Sequence, residues 1–324
     1  MTGLIQRMQL QKLLALGALV LLYIGFVIFG TNFFSTSWTL AILARSYFVG
    51  FLAIGVTFVI ITGGIDLSIG TVMFCSALVG GLLFNQHGIP LWLCLVIMVL
   101  VGASFGAFNG ILITKLSLPP FIASLGTMMI AAGLGSILTN VRAQTFPTRL
   151  GDHAWFSQLF LRTDGNIPSG AFFLAGYMII GLIVLKKTKL GRYTYSIGSN
   201  EEATRLSGVN TNRWKMAVYI ISGFSAGLAS IFFAANTITI TPGQGQGFEL
   251  DAIAAAVIGG TSLSGGVGSV TGTIIGVFIM SVLASGLVSI GLPQPFQVFF
   301  TGIVLIGAVL LDIQRTKRSN RVRK

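Results

Sequence analysis

Apolar runs separated by short polar or glycine-rich interruptions occupy most of this chain. They fall near residues 13–30, 39–62, 70–84, 91–113, 119–139, 169–185, 216–235, 251–260, 270–290 and 296–312. A helix needs about 20 predominantly apolar residues to cross the hydrocarbon core of a bilayer. The pattern therefore predicts about ten membrane segments, with 70–84 and 251–260 too short to cross alone. The fold class that follows is all-α: a polytopic membrane helix bundle forming one transmembrane domain over residues 1–324.

Two interruptions are alike. Gly63-Gly64-Ile65-Asp66-Leu67-Ser68-Ile69-Gly70 and Gly259-Gly260-Thr261-Ser262-Leu263-Ser264-Gly265-Gly266 share the pattern GGxxLSxG, and each separates two apolar runs. Irregular backbone at membrane depth is tolerated only where protein buries it or it lines a wet cavity, and paired interruptions point to a translocation path. Gly63, Gly64, Asp66, Ser68, Thr261, Ser262 and Ser264 are accordingly the candidate path residues. Asp66, Ser68, Thr261, Ser262 and Ser264 are also good helix N-cap types, so Asp66 has two readings: a path carboxylate, or a cap beside a tight glycine turn. Gly102, Gly106 and Gly110, and Gly268, Gly272 and Gly276, fall four apart and predict close helix packing.

Composition agrees with the pattern. Only 9% of residues are charged, against about 25% in an ordinary soluble domain. The net charge of +12 could suggest nucleic acid. The basic residues cluster between spans and at the C-terminus, however, as membrane orientation requires, and no nucleic-acid partner is expected. With the N-terminus inside, sixteen of the 20 lysines and arginines fall on the inner side. They are Arg7, Lys12, Lys115, the seven between Lys186 and Lys215, and the six from Arg315 to Lys324. Both termini are therefore expected in the cytoplasm, and the first run is expected to be a retained span, because no small-residue cleavage pattern follows it. Cys75 and Cys94 read as small buried hydrophobes, and His87 and His153 stand alone, so no metal site or disulfide framework is expected.

Two connections are long. Residues 140–169 form an external loop whose Arg142, Arg149 and Arg162 are candidate charge partners for a docking protein. Residues 186–215 form a basic internal loop containing a short helix. In it Asn200 is the cap, Glu201 and Glu202 sit in the first turn, Arg205 lies near the end and Gly208 supplies a left-handed stop.

The stretches GSNEEATRLSGVNTNRWK, YIISGFSAGLAS, ITGGIDLSIG and ELDAIAAAVIGGTSLSGGVGSVTGT resemble, in order, the membrane-spanning permeases of ABC importers for ribose and other monosaccharides. The resemblance covers nearly the whole chain. It makes 186–215 the cytoplasmic coupling loop, with Gly198, Asn200, Ala203, Ser207 and Gly208 matching the family motif and Glu201, Glu202 and Arg205 beside them. Glu202 and Thr204 stand where family members often carry a second alanine. The resemblance further implies a bacterial inner-membrane protein that pairs with a second permease, identical or a sister chain. It implies an extracytoplasmic sugar-binding protein that delivers the substrate, and a separate ATPase that powers transport. No GxxxxGK[ST] phosphate cradle occurs, so the chain is expected to be a non-enzymatic transport subunit without a cofactor of its own. A sugar-like signal such as autoinducer-2 is an alternative cargo. An ion-driven secondary transporter is a rival class, but intramembrane charge is scarce: Glu249 and Asp251 read as caps at an outer helix start. An intramembrane enzyme lacks a base near any candidate serine.

Overall fold

The computed structural model describes residues 2–321, with side chains described from 13 to 310 and at 312 and 313. The basic side chains expected at the termini, those of Arg7, Lys12 and the six from Arg315 to Lys324, are not among the side chains described. In chain order the helices are α1 (Thr2–Phe29), α2 (Thr36–Ile61), α3 (Ile69–His87), α4 (Leu91–Thr114), α5 (Pro120–Leu138), α6 (Trp155–Phe160) and α7 (Ser169–Lys187). They continue as α8 (Lys189–Ser199), α9 (Glu201–Leu206), α10 (Thr211–Thr237), α11 (Phe248–Ile258), α12 (Val270–Ser289) and α13 (Gln294–Arg321). Two-residue strands β1 (Gln144–Thr145) and β2 (Thr239–Ile240) pair antiparallel near one end of the bundle.

Seven of these helices, α2, α3, α4, α5, α7, α10 and α12, are long and apolar enough to cross a membrane. The helices α1 and α13 carry shorter apolar stretches, Leu13–Phe29 and Gln294–Leu310. With α11 they make up the ten apolar segments read from the pattern. One expectation fails: the run 70–84 is the interior of α3, a helix of 19 residues. At about 1.5 Å per residue it is long enough to cross, because its first and last turns recruit Ile69 and the polar Asn85-Gln86-His87. Only α11, with 11 residues, is short.

The core surrounds α2, whose residues from Ser46 to Ile61 are buried without a break. Burial on every face means that α2 runs through the middle of the bundle rather than along its lipid surface. The predicted glycine rows do pack helices. A Cβ at Gly102 or Gly106 would strike the backbone of α10 at Gly223, Gly227 or Tyr219, and a Cβ at Gly272 or Gly276 would strike α11 at Gly259 or Ala255. Small residues let these backbones approach where no hydrophobic effect drives helices together in lipid. One end of the bundle carries α8 and α9, and is called the basic end below. The opposite end carries the 140–169 segment.

Candidate functional site

At the first interruption α2 closes with Gly63 N–H bonded to the Ile60 carbonyl at 2.9 Å and Gly64 N–H to the Val59 carbonyl at 3.2 Å. Gly63 has φ 78°. These are the marks of a glycine helix stop. The chain then turns Asp66 inward, where it is 1% exposed. Its Oδ1 accepts from Ser68 N–H (3.0 Å), Ser68 Oγ (2.7 Å) and Asn109 Nδ2 (3.3 Å), and its Oδ2 from Ser222 Oγ (2.7 Å). Thr127 Oγ1 donates to Asn109 Oδ1 at 2.6 Å. One carboxylate thus joins the start of α3 to α4, α5 and α10. Ser68 precedes α3, but its hydroxyl serves Asp66 and makes no side-chain cap.

The second interruption has the same stop displaced by one position. Gly260 N–H bonds the Val257 carbonyl at 2.9 Å and Thr261 N–H the Ala256 carbonyl at 3.0 Å. The left-handed residue here is Gly260, φ 92°, the second glycine of its pair rather than the first. Further left-handed residues at Gly265 and Gly266 carry the chain to α12, which is capped by Ser269 accepting from Gly272 N–H at 3.2 Å. The expectation that Thr261, Ser262 or Ser264 caps the following helix is therefore corrected: the extra turn places Ser269 there instead. Ser262 Oγ and Leu263 N–H both donate to Asp312 Oδ2 at 3.1 Å. Thr261 Oγ1 is buried without a partner among the described residues, and Ser264 is exposed.

The two interruptions touch. Gly266 N–H donates to the Ile61 carbonyl at 2.8 Å, and Gly265 backs onto Gly63. Among the described residues no hydrogen bond links Asp66 or Ser68 to Ser262 or Ser264. The pair meets through its glycines, and its polar side chains serve different partners.

The structure also corrects the reading of α11. Phe248 packs on Phe48, halfway along α2, and on Phe74, with ring centroids 5.7 Å apart in both cases. The helix therefore starts inside the bundle, and capping accounts for only part of its charge. Glu249 Oε1 does accept from Gly247 N–H at 2.9 Å, while its Oε2 is buried without a partner among the described residues. Asp251 instead meets Arg45 of α2 at 2.6 Å. This ion pair was missed because Arg45 and Asp251 lie 206 positions apart, although a lone arginine within an apolar run was itself the signal.

At the basic end the short helix forms as expected. Asn200 Oδ1 accepts from Ala203 N–H at 2.9 Å, and Gly208 takes φ 85°. Its length, six residues, falls short of two turns. Glu202, Ala203, Arg205, Leu206, Ser207 and Gly208 are exposed, whereas Glu201 turns inward to Lys215 at 2.7 Å and Arg205 at 3.3 Å. Burial acts to raise the Glu201 carboxyl. The hydrogen bond and charge of Lys215, with Thr211 and Arg205, outweigh it and hold the group below the usual carboxylate range. Gly198 sits at the end of α8 against the Ile61 carbonyl and Gly266 N–H, with no room for a Cβ. Beneath the Asp66 cluster a polar recess of about 560 Å³ is lined by Thr62, Gly63, Thr114, Glu201, Lys215 and Tyr219, among others.

Residues 38–309 match the model of a family described as the branched-chain amino acid transport system / permease component. The chain belongs to this permease family. The permease is 38% identical over 309 residues to the ribose import permease protein RbsC of Bacillus subtilis, covering 95% of this chain and 94% of that one. It is 36% identical over 285 residues to RbsC of Escherichia coli K12, covering 87% of each. It is 33% identical over 306 residues to the fructose import permease protein FruG of Bifidobacterium longum, covering 91% of this chain and 89% of that one. In the permease the three arginines of the 140–169 segment differ: Arg142 is exposed, while Arg149 and Arg162 are half-buried. Arg149 Nη2 and Arg162 Nε have no partner among the described residues. The residue most clearly overlooked in the sequence is Leu206. On α9 it is 84% exposed, and neither charge nor capping marked it.

Proposed function

We propose that this permease is the membrane-spanning subunit of a bacterial ABC importer for a monosaccharide such as ribose or fructose. It works in the inner membrane with both termini in the cytoplasm. A second permease, identical or a sister chain, completes the channel; an extracytoplasmic binding protein delivers the sugar, and a separate ATPase supplies the energy. The observation that carries this reading is α9: a capped helix anchored to α10 by the Glu201–Lys215 ion pair while its other face, with Leu206, is left open. A six-residue helix is too short to persist by itself, so a fold that anchors one at its basic end and leaves it bare fits a docking element. The sugar class is supported by the names of relatives aligned over most of both chains. Segment 140–169, with Arg142, Arg149 and Arg162, is the proposed docking surface for the binding protein.

The test is reconstitution of the permease with its ATPase and binding protein in proteoliposomes, offering labelled ribose, fructose and leucine. ATP-dependent uptake of a sugar is the expected result. Uptake driven by a proton or sodium gradient without ATP, or uptake of leucine alone, overturns it.

A further inference from the structure

The helices on either side of α9 each reach one of the glycine interruptions, and each does so through a tyrosine hydroxyl. Leading into α9, α8 places Tyr195 OH 2.8 Å from the carbonyl of Gly268, in the irregular stretch that carries the second interruption on to α12. Leading away, α10 places Tyr219 OH 3.3 Å from the Ile65 carbonyl of the first. Both acceptors are carbonyls of irregular backbone with no helical partner, which the surroundings must satisfy. On α10 the contacts are aligned. Lys215, Tyr219 and Ser222 are spaced by four and three, hence share one face, and they engage in turn Glu201 of α9, the Ile65 carbonyl and Asp66. On α8, Gly198 lies one turn beyond Tyr195 and presses on Gly265 and Gly266. The rings of Tyr193 and Trp214, tilted at 44° with centroids 5.0 Å apart, tie α8 to α10 directly. Gly266 N–H also holds the Ile61 carbonyl, which joins the second interruption to the end of α2 where the first begins.

We propose that Tyr195 and Tyr219 are positioning residues through which movement of the α8–α9–α10 segment is imposed on both glycine interruptions at once. This rests on the reading of α9 as the ATPase contact. The interruptions then act as hinges whose geometry follows the coupling segment, and their glycines supply the backbone freedom such hinges need. A contiguous set of contacts establishes only that a route exists, so the proposal stands or falls on measured coupling.

The experiment compares Tyr195→Phe, Tyr219→Phe and the double variant in the reconstituted complex, each change removing one hydroxyl and little volume. Two quantities are read: sugar transported per ATP hydrolysed, using labelled ribose or fructose, and the maleimide labelling rate of Ser264→Cys with and without vanadate-trapped nucleotide. Cys75 and Cys94 are buried and contribute little background. A net hydrogen bond of about 0.5–1.5 kcal/mol corresponds to roughly a 2- to 10-fold effect. Each single variant is expected to lower the sugar-to-ATP ratio within that range while assembly and ATP hydrolysis persist. The nucleotide-dependent change at Ser264→Cys should shrink in Tyr195→Phe, and the double variant should depart from additivity. Unchanged ratios and labelling overturn the proposal. So does a parallel fall in uptake, hydrolysis and melting temperature, which marks the hydroxyls as packing alone. If the unsubstituted complex shows no ATP-dependent uptake, it is the importer reading that fails, and the proposal falls with it.

Discussion

Asp66 is buried and accepts from four donors, which sets different costs for its two simplest replacements. Asn keeps one oxygen acceptor, and the hydroxyls of Ser68 and Ser222 can rotate to accept from its amide. Leu removes the acceptor of the Ser68 N–H and of the Ser68 and Ser222 hydroxyls in a buried site, at about 1–3 kcal/mol each, while Asn109 Nδ2 keeps Ser68 Oγ at 2.9 Å. Asp66→Leu is expected to lower the melting temperature sharply and reduce the yield of inserted protein, whereas Asp66→Asn should remain folded with a smaller loss. Uptake measured beside melting temperature then separates charge from structure: a well-folded Asp66→Asn protein with wild-type flux shows that the charge itself is dispensable. Sequence singled out Asp66 because a carboxylate in an apolar stretch is conspicuous. Its partners were less legible. Asn109, Thr127 and Ser222 come from three other helices, and hydroxyls are common in membrane helices. Asn109, a lone amide in the run 91–113, was the one readable sign.

Among the elements, α11 shows how far an apolar pattern reaches. Its brevity was evident in the sequence, but its depth was not, because depth depends on how far residues 241–247 enter the bundle. The outcome turns Asp251 from a surface cap into half of a largely buried ion pair with Arg45. Breaking such a pair from one side leaves an uncompensated charge, whereas replacing both partners by apolar groups can be nearly neutral. Arg45→Met and Asp251→Leu are each expected to destabilise by about 3 kcal/mol. The double variant should recover much of that, so that a thermal-denaturation cycle returns a large coupling energy. Additive losses would show that the two charges act independently. The repeated GGxxLSxG pattern carries a similar lesson. The two helix stops were legible in the glycines, yet their structural equivalence is offset by one residue, and only the second copy inserts a further turn. Pattern alignment matched residue types, whereas backbone bonding decides which glycine must adopt a positive φ. For α9, the depressed Glu201 carboxyl gives a pH sign. Its contribution is present above the unfolded carboxylate value of about 4.3 and is lost as pH falls through the lower folded value. Association of the permease with its ATPase should weaken on that acid side, and Glu201→Gln should flatten the dependence.

Across the whole molecule, function depends on which end faces which compartment, and the two ends are chemically distinct. The end with α8 and α9 carries Lys186, Lys187, Lys189, Arg192, Arg205, Arg213 and Lys215, while the other carries Arg142, Arg149 and Arg162. Charge at a docking rim acts on association rate and salt dependence more than on affinity at contact. Replacing Arg142, Arg149 and Arg162 by Gln should therefore weaken stimulation of ATP hydrolysis by the binding protein chiefly at low salt, and an unchanged salt profile removes them from that surface. Orientation itself can be read directly. Basic residues are retained on the cytoplasmic side, so the proposed reading has the α9 end inside and the 140–169 end outside. Leu150 and Leu206, 86% and 84% exposed, mark the two ends with side chains free for labelling. Both native cysteines are buried, so single substitutions report cleanly. Leu150→Cys should react with a membrane-impermeant maleimide in spheroplasts, and Leu206→Cys only after the membrane is opened. The reverse pattern would place α9 on the outer face, where no ATPase could reach it. Equal labelling of both sites in sealed spheroplasts would mean that the two loops share a compartment. Between residues 150 and 206 the one long apolar helix is α7, so that result would require α7 to lie within the membrane without traversing it.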